Sequence, residues 1–214
     1  MFVEIPLILF AKAPIAGRVK TRLTSDCTDQ QAADIASLLM QASIEKAIKA
    51  WPGNVLLSAA IDGEHPFFTE MTARYNVNMV RQSEGHLGEK MRHALATYGY
   101  PAAILGCDAP HVSENSLREA HARLAGGESV IGPADDGGYY FIGLANEADE
   151  LFENKAWGTS SVLTQTLEEA KKTGQQLRLL DSLNDVDEWP DLQAVASEIL
   201  SLQQYLKANG LDER

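Results

Sequence analysis

Four short segments carry residues that could do chemistry together. The first, "FAKAPIAGRVKTRL", holds Lys12, Arg18, Lys20 and Arg22, and no acid occurs between Glu4 and Asp26. Arginine forks and a point-charge lysine suit di- or triphosphate oxygens. In an extended or loop conformation, residues two apart point the same way, so Arg18, Lys20 and Arg22 could converge. The second, "GCDAPHV", places Asp108 at the end of an apolar run, where a carboxylate can hold Mg2+ or Mn2+ beside phosphate. The third, "GPADDGGYYFIGL", sets Asp135 and Asp136 before Gly137 and Gly138. These acids are candidates for a catalytic base or a further metal contact, and the glycines allow close backbone approach to a ligand. The fourth, "LNDVDEWPDL", spaces Asp185 and Asp187 by two, which puts them on one side of an extended piece.

Each segment also has a plainer explanation. The basic loop could simply be solvated. Asp108 could form an Asx turn before Pro110, and the Asp-Asp-Gly-Gly run could be a hairpin with acids in its turn. Asp191 and Glu188 suit the start of a helix, where its dipole favours acids; Asp185 and Asp187 fit that role less well. Two common phosphate motifs are absent. Gly17 stands alone and Arg-Val separates it from Lys20-Thr21, so no Walker A loop exists, and no G-x-G-x-x-G occurs.

The elements that must position these residues alternate along the chain. Strands are expected at 5–11, 54–61, 77–82, 102–107, 129–134, 139–144 and 176–180. Helices are expected at 29–51, 65–75 and 87–98, from a Ser113 cap to about 125, and from Ser160 or Ser161 to a stop at Gly174. A last helix carries the stripe Leu192, Val195, Ala196, Ile199, Leu202 and Leu206. This alternation implies an α/β protein: a three-layer α/β/α arrangement with a mostly parallel sheet, forming one domain over residues 1–214. Ligands of such sheets bind beyond the carboxyl ends of the strands, and the first three segments lie at such ends.

Composition narrows the function. The chain has 214 residues and a formal net charge of −12. That balance disfavours nucleic acid and anionic membranes as partners. Cys27 and Cys107 have neither metal-type spacing nor the look of a disulfide framework. No apolar run is long enough to span a membrane. The apolar start is preceded by Glu4 and no cation, unlike a signal peptide, so a cytoplasmic location is expected.

Taken in order, "FAKAPIAGRVKTRL", "QSEGHLGEKM", "GCDAPHV", "GPADDGGYYFIGL", "WGTSSVL" and "LNDVDEWPDL" resemble the motifs of a bacterial family of GT-A-type transferases. That family is named by homology as glycosyltransferases (radical-SAM/selenodomain-associated transferase 1) and sits in the nucleotide-diphospho-sugar transferase superfamily. The superfamily also contains molybdenum-cofactor nucleotidyltransferases and 2-phospholactate guanylyltransferase. The resemblance implies the GT-A fold and a nucleotide site formed by Arg18, Lys20 and Arg22, with Lys12 and Gly17 in the same loop. It implies Asp108 and Asp187 as ligands of Mg2+ or Mn2+, and Asp136, beside Asp135, as the acceptor-side acid. Gly88, Gly137 and Gly138 fall among the substrate-binding positions. Three departures stand out: His86 replaces an Asp, "CDAPH" replaces "TDCPG", and Trp189-Pro190 interrupt "Asp-Thr-Pro-Glu-Asp".

The expected function is a metal-dependent transferase using a nucleotide-activated donor and a small acceptor, foremost a glycosyltransferase acting from a nucleotide-diphospho-sugar. One alternative is a guanylyl- or cytidylyl-type nucleotidyltransferase that releases pyrophosphate. Another, of a different class, is a non-catalytic nucleotide-sensing protein. The sequence leaves the base, sugar, acceptor and oligomeric state open.

Overall fold

In the computed structural model, which describes residues 4–60 and 63–212, seven strands form one sheet. They are β1 (Leu7–Ala11), β2 (Val55–Ala59), β3 (Asn78–Arg81), β4 (Ala102–Gly106), β5 (Ser129–Pro133), β6 (Tyr139–Leu144) and β7 (Leu177–Leu179). The spatial order is β3-β2-β1-β4-β6-β5-β7. All neighbours are parallel except β6, which runs antiparallel to both β4 and β5. The sheet is therefore mostly parallel, as the alternation implies. Ile61, the last residue of the strand expected at 54–61, lies outside the described residues.

The continuous apolar strands read as they do because both faces are covered. Along β1, Leu7, Leu9 and Ala11 face one core cluster and Ile8 faces the other. Three helices cover the first face: α1 (Asp29–Ala50), α2 (Pro66–Tyr75) and α4 (Glu114–Ala125). Two more cover the second: α3 (Leu87–Tyr98) and α5 (Val162–Thr173).

The last expected helix is two. Its stripe is divided between α6 (Trp189–Ala196) and α7 (Leu200–Ala208), because Ile199 is extended at φ −117° and ψ 93°. Leu192, Val195, Ile199, Leu202 and Leu206 still pack together against Ile35 and Leu39 of α1. Thus α1 is buried on two sides: Met40, Ile44 and Ala47 against the sheet, Ile35 and Leu39 beneath α6 and α7. No helix among the described residues is long and apolar enough to cross a membrane.

Helix starts follow side-chain capping rules. Thr28 and Gln31 form a capping box on α1. Ser113 Oγ accepts from Ser116 N at 2.9 Å, as its cap role requires. Ser161 precedes α5 without making a cap hydrogen bond, while Gly174 ends that helix at φ +76°.

Candidate functional site

The site lies at the carboxyl ends of β1, β4 and β5, where two cavities adjoin. Both are lined by Phe10, at the end of β1, and by Asp108, just after β4. The first cavity, about 190 Å3, is lined by Lys12, Arg18, Lys20 and Asp187, among others. The second, about 310 Å3, is lined by Asp136, Asp185, Trp157, Tyr139, Leu87 and Met91, among others, and by no lysine or arginine among the described residues.

The basic loop is a series of turns, and of Arg18, Lys20 and Arg22 only the first two line the cavity. Gly17 turns the chain at φ +73°, and Arg18 N donates to Ile15 O at 2.9 Å. Lys20 is left-handed (φ 46°, ψ 39°) and starts a 3-10 turn at Thr21–Ser25, anchored by the fully buried Leu23. This turn directs Lys20 inward and leaves Arg22 outside the cavity, with 68% of its side chain exposed. Lys12 Nζ donates to Arg18 O at 2.9 Å, so it braces the loop as well as lining the cavity.

Lys20 holds the centre. Only 6% of its side chain is exposed. Its Nζ lies 2.7 Å from Asp108 Oδ1 and 3.2 Å from Asp187 Oδ1, and Arg22 Nη1 approaches Asp187 Oδ2 at 3.7 Å. Burial works against the ammonium, but Asp108 and then Asp187 outweigh it, so its pKa lies above the ordinary lysine value. Asp108 and Asp187, which the resemblance implies as metal ligands, therefore converge here on one cation, the lysine ammonium.

Asp185 and Asp187 diverge around Val186, which is fully buried and whose N–H donates to Asp108 O at 3.4 Å. Asp187 lines the first cavity and Asp185 the second. Burial, followed by the neighbouring carboxylates of Asp108, Asp136 and Asp187, pushes the Asp185 pKa up to about 6 against the pull of Lys20. Asp185 is a residue of the site that the motif comparison passes over. Its signal was the Asp-x-Asp spacing, which helix capping did not account for. Asp191, at the third position of α6, closes the capping box that starts at Glu188: its Oδ2 accepts from Glu188 N at 2.9 Å and Asp187 N at 3.3 Å, and its Oδ1 from Asn184 Nδ2 at 3.1 Å. It thereby fixes the loop carrying Asp187.

The Asp-Asp-Gly-Gly run is the turn of the β5–β6 hairpin, and its members separate. Asp136 lines the second cavity while its Oδ1 accepts from Gly138 N at 2.8 Å, an Asx turn. Asp135 lines neither cavity; it accepts from Ser182 Oγ and donates its N–H to Leu183 O, tying the turn to the segment that leads to Asp185. Gly138 lines the second cavity. Gly137 instead meets protein: at φ +88°, a Cβ there would sit 2.0 Å from Ser160 O.

Gly88 is buried and lines neither cavity; a Cβ on it would come within 2.3 Å of the Trp157 ring. Its role is to seat that indole, which forms a wall of the second cavity. Trp157 also stacks on His86 (6.2 Å, 25°) and meets Tyr139 edge-on (6.4 Å, 75°). His86 keeps a capping role where the family pattern has Asp: its Nδ1 accepts from Glu89 N at 3.2 Å, and Glu89 Oε2 accepts from His86 N at 2.9 Å. His111 lines neither cavity. Both its ring nitrogens are buried without a hydrogen-bond partner among the described residues, and burial holds its pKa below the usual value.

No group of three or more His, Cys, Asp or Glu side chains that could hold a metal is assembled among the described residues. Two carboxylates converging on a stand-in cation still fit Mg2+ or Mn2+, because such ions take one or two carboxylates and complete their shell with water and phosphate.

This architecture, with strand-end loops around a cleft, is the nucleotide-diphospho-sugar transferase fold. The chain belongs to the family described as an uncharacterized protein conserved in bacteria (DUF2064), whose profile matches residues 43–159, more than half the chain. A solved structure from Desulfovibrio desulfuricans G20, provisionally described as a nucleotide-diphospho-sugar transferase, superposes with a TM-score of 0.82. The pair are 24% identical, over 97% of this chain and 96% of that one. Rv0371c from Mycobacterium tuberculosis H37Rv, solved in complex with manganese, gives a TM-score of 0.56 at 17% identity, over 92% of this chain and 100% of that one. A cytidylyltransferase from Leptospira borgpetersenii gives 0.59 at 13%, over 98% and 96%. No curated protein matches the chain.

Proposed function

We propose that this chain, acting as one domain, transfers a glycosyl group from a nucleotide-diphospho-sugar to a hydroxyl acceptor. One observation carries the reading: the two adjoining cavities differ in charge and share Asp108. The first offers Lys12, Arg18 and Lys20 to a diphosphate. The second offers aromatic rings and carboxylates without a cation. Carboxylates accept hydrogen bonds from sugar hydroxyls, whereas a phosphorylated acceptor would meet like charge. The likeness to a nucleotide-diphospho-sugar transferase and to a cytidylyltransferase supports a nucleotide-using transferase, and the acidic second cavity favours the glycosyl form.

The roles follow from placement. Arg18 and Lys20 bind the diphosphate, with Lys12 bracing their loop. Asp108 and Asp187 would hold Mg2+ or Mn2+, which supplies charge neutralisation at the leaving diphosphate; the manganese complex of Rv0371c supports a divalent ion. Tyr139 and Trp157 wall the second cavity and exclude water from the reacting groups. Asp136 is the acceptor-side base: the acceptor oxygen bonds the anomeric carbon, the diphosphate leaves with the bonding pair, and the hydroxyl proton passes to Asp136. Asp135 is a positioning residue, acting through the turn that carries Asp136.

The test is a product assay. Incubated with Mn2+, a panel of nucleotide sugars and a panel of hydroxyl acceptors, the protein is expected to release nucleoside diphosphate as the glycosyl group passes to an acceptor hydroxyl, and Asp108→Asn to stop it. Pyrophosphate release from nucleoside triphosphates, with no diphosphate from any nucleotide sugar, would replace this reading with nucleotidyl transfer. Absence of nucleotide binding would leave the sensing alternative without support as well.

A further inference from the structure

The cation site between Asp108 and Asp187 is already filled by the chain itself. Lys20 Nζ donates to Asp108 Oδ1 at 2.7 Å and to Asp187 Oδ1 at 3.2 Å. These partners come from loops 88 and 167 residues away in sequence, so folding alone assembles the site. The lysine is committed to it. Its backbone is held left-handed, its carbonyl accepts from Leu23 N at 2.9 Å, and Leu23 is locked in the core. With 6% of its side chain exposed, Lys20 is far more enclosed than Asp108 (69%) or Asp187 (44%), so the carboxylates are open to solvent while their counter-ion borders only the first cavity.

We infer that Lys20 is an internal counter-ion that competes with the divalent cation for Asp108 and Asp187, and that nucleotide phosphates relieve the competition. This rests on the reading of those two acids as metal ligands. The physical reason is simple. Asp108 and Asp187 need a cation to sit together, and one oxygen of each is occupied by the ammonium. A divalent ion arriving alone meets a like charge within a few ångströms. A diphosphate in the first cavity, which Lys20 also lines, offers the ammonium other oxygens and leaves the carboxylates to the metal. Nucleotide and metal then bind with positive coupling, and by linkage each raises the affinity of the other by the same factor. Lys20 thus sets an order: the protein without nucleotide holds little metal.

The test uses Mn2+ alone, with free ion followed by electron paramagnetic resonance, on the full chain without nucleotide. Wild type is expected to bind weakly. Lys20→Gln is expected to bind about ten- to thirtyfold more tightly, the effect of removing one like charge about 4 Å from a divalent ion in water. Adding Asp187→Asn to it should abolish the gain. Lys20→Met serves as a second variant should the glutamine form fold poorly. Tight Mn2+ binding by wild type that Asp187→Asn removes would overturn the inference without any Lys20 variant. So would equal or weaker binding in Lys20→Gln. In those cases the metal reading survives and only the competition falls. Failure of every form to bind Mn2+, including the Lys20 variants, would sink the inference together with the metal assignment beneath it.

Discussion

Replacing Gly88 with alanine isolates the contact that seats the wall of the second cavity. The added Cβ would lie 2.3 Å from Trp157 Cζ2, 2.6 Å from Cε2 and 2.7 Å from Nε1. Carbon atoms rest about 3.5–4.0 Å apart, so the indole or the start of α3 must shift by about 1 Å or more. The ring cannot tilt freely, because His86 stacks on it and Tyr139 meets it edge-on. Overpacking of this kind costs about 1–3 kcal/mol. Alanine recovers up to about 1 kcal/mol over glycine in a helix. A net loss of up to about 2 kcal/mol follows, which for a domain of this size lowers the thermal midpoint by up to about 8 °C. Thermal unfolding reads the loss, and tryptophan emission should shift as Trp157 leaves its seat. The decisive comparison is Gly88→Ala in a Trp157→Ala background, where the clash is gone and alanine should be neutral or stabilising. An equal loss in both backgrounds would refute the seating role, since the penalty would then arise elsewhere in α3.

Three further outcomes follow from single contacts. Gly137→Ala combines a left-handed φ of +88° with a Cβ 2.0 Å from Ser160 O; it should cost about 3 kcal/mol or more in denaturant unfolding, above most substitutions. Asp191→Ala removes the acceptor for Glu188 N, Asp187 N and Asn184 Nδ2; it should lose about 1–2 kcal/mol and, by loosening Asp187, weaken nucleotide binding in calorimetry while Asp191→Asn retains part of both. His121 packs edge-on against Trp51 at 5.1 Å, and burial lowers its pKa, so its neutral form is favoured in the folded state. The unfolded chain then binds more protons below about pH 6.5, and stability falls as pH drops through that window. His121→Phe should keep the ring contact and show a shallower fall in thermal midpoint between pH 7 and 5; an unchanged slope would contradict the assignment.

The sheet was legible because its strands obey a period of two against two cores. Leu7 and Leu9 meet one cluster and Ile8 the other, and continuous apolar runs can mean little else at that length. The helix break at 197–199 was not legible, because Val195, Ile199, Leu202 and Leu206 keep a helical spacing across it and all reach α1. Periodicity reports which residues are buried together, not whether the backbone between them hydrogen-bonds without interruption. The same limit applies to the Gly88–Trp157 contact: it joins segments 69 residues apart, and neither carries a local mark of the other.

The site shows where local rules help and where they mislead. Adjacent residues in a turn rarely face one way, so Asp135 and Asp136 were bound to divide their roles, and only Asp136 reaches a cavity. Residues two apart should agree, yet Asp185 and Asp187 face different cavities. Asp108 stands between them: its carbonyl accepts from Val186 N, and it lines both spaces. The pair therefore brackets the strand-end carboxylate instead of forming one side of a ligand set. Asp187 shares a cation with Asp108, whereas Asp185 meets Asp108 and Asp136 as like charges and has its pKa pushed up to about 6. Removing the internal cation would deepen that repulsion, since Lys20 is the group that opposes it. The basic loop, the Asp108–Asp187 pair and the acidic cavity are thus one electrostatic unit with Lys20 at its centre. A change at any member should be felt at the others, while a basic loop that was merely solvated would leave the carboxylates untouched.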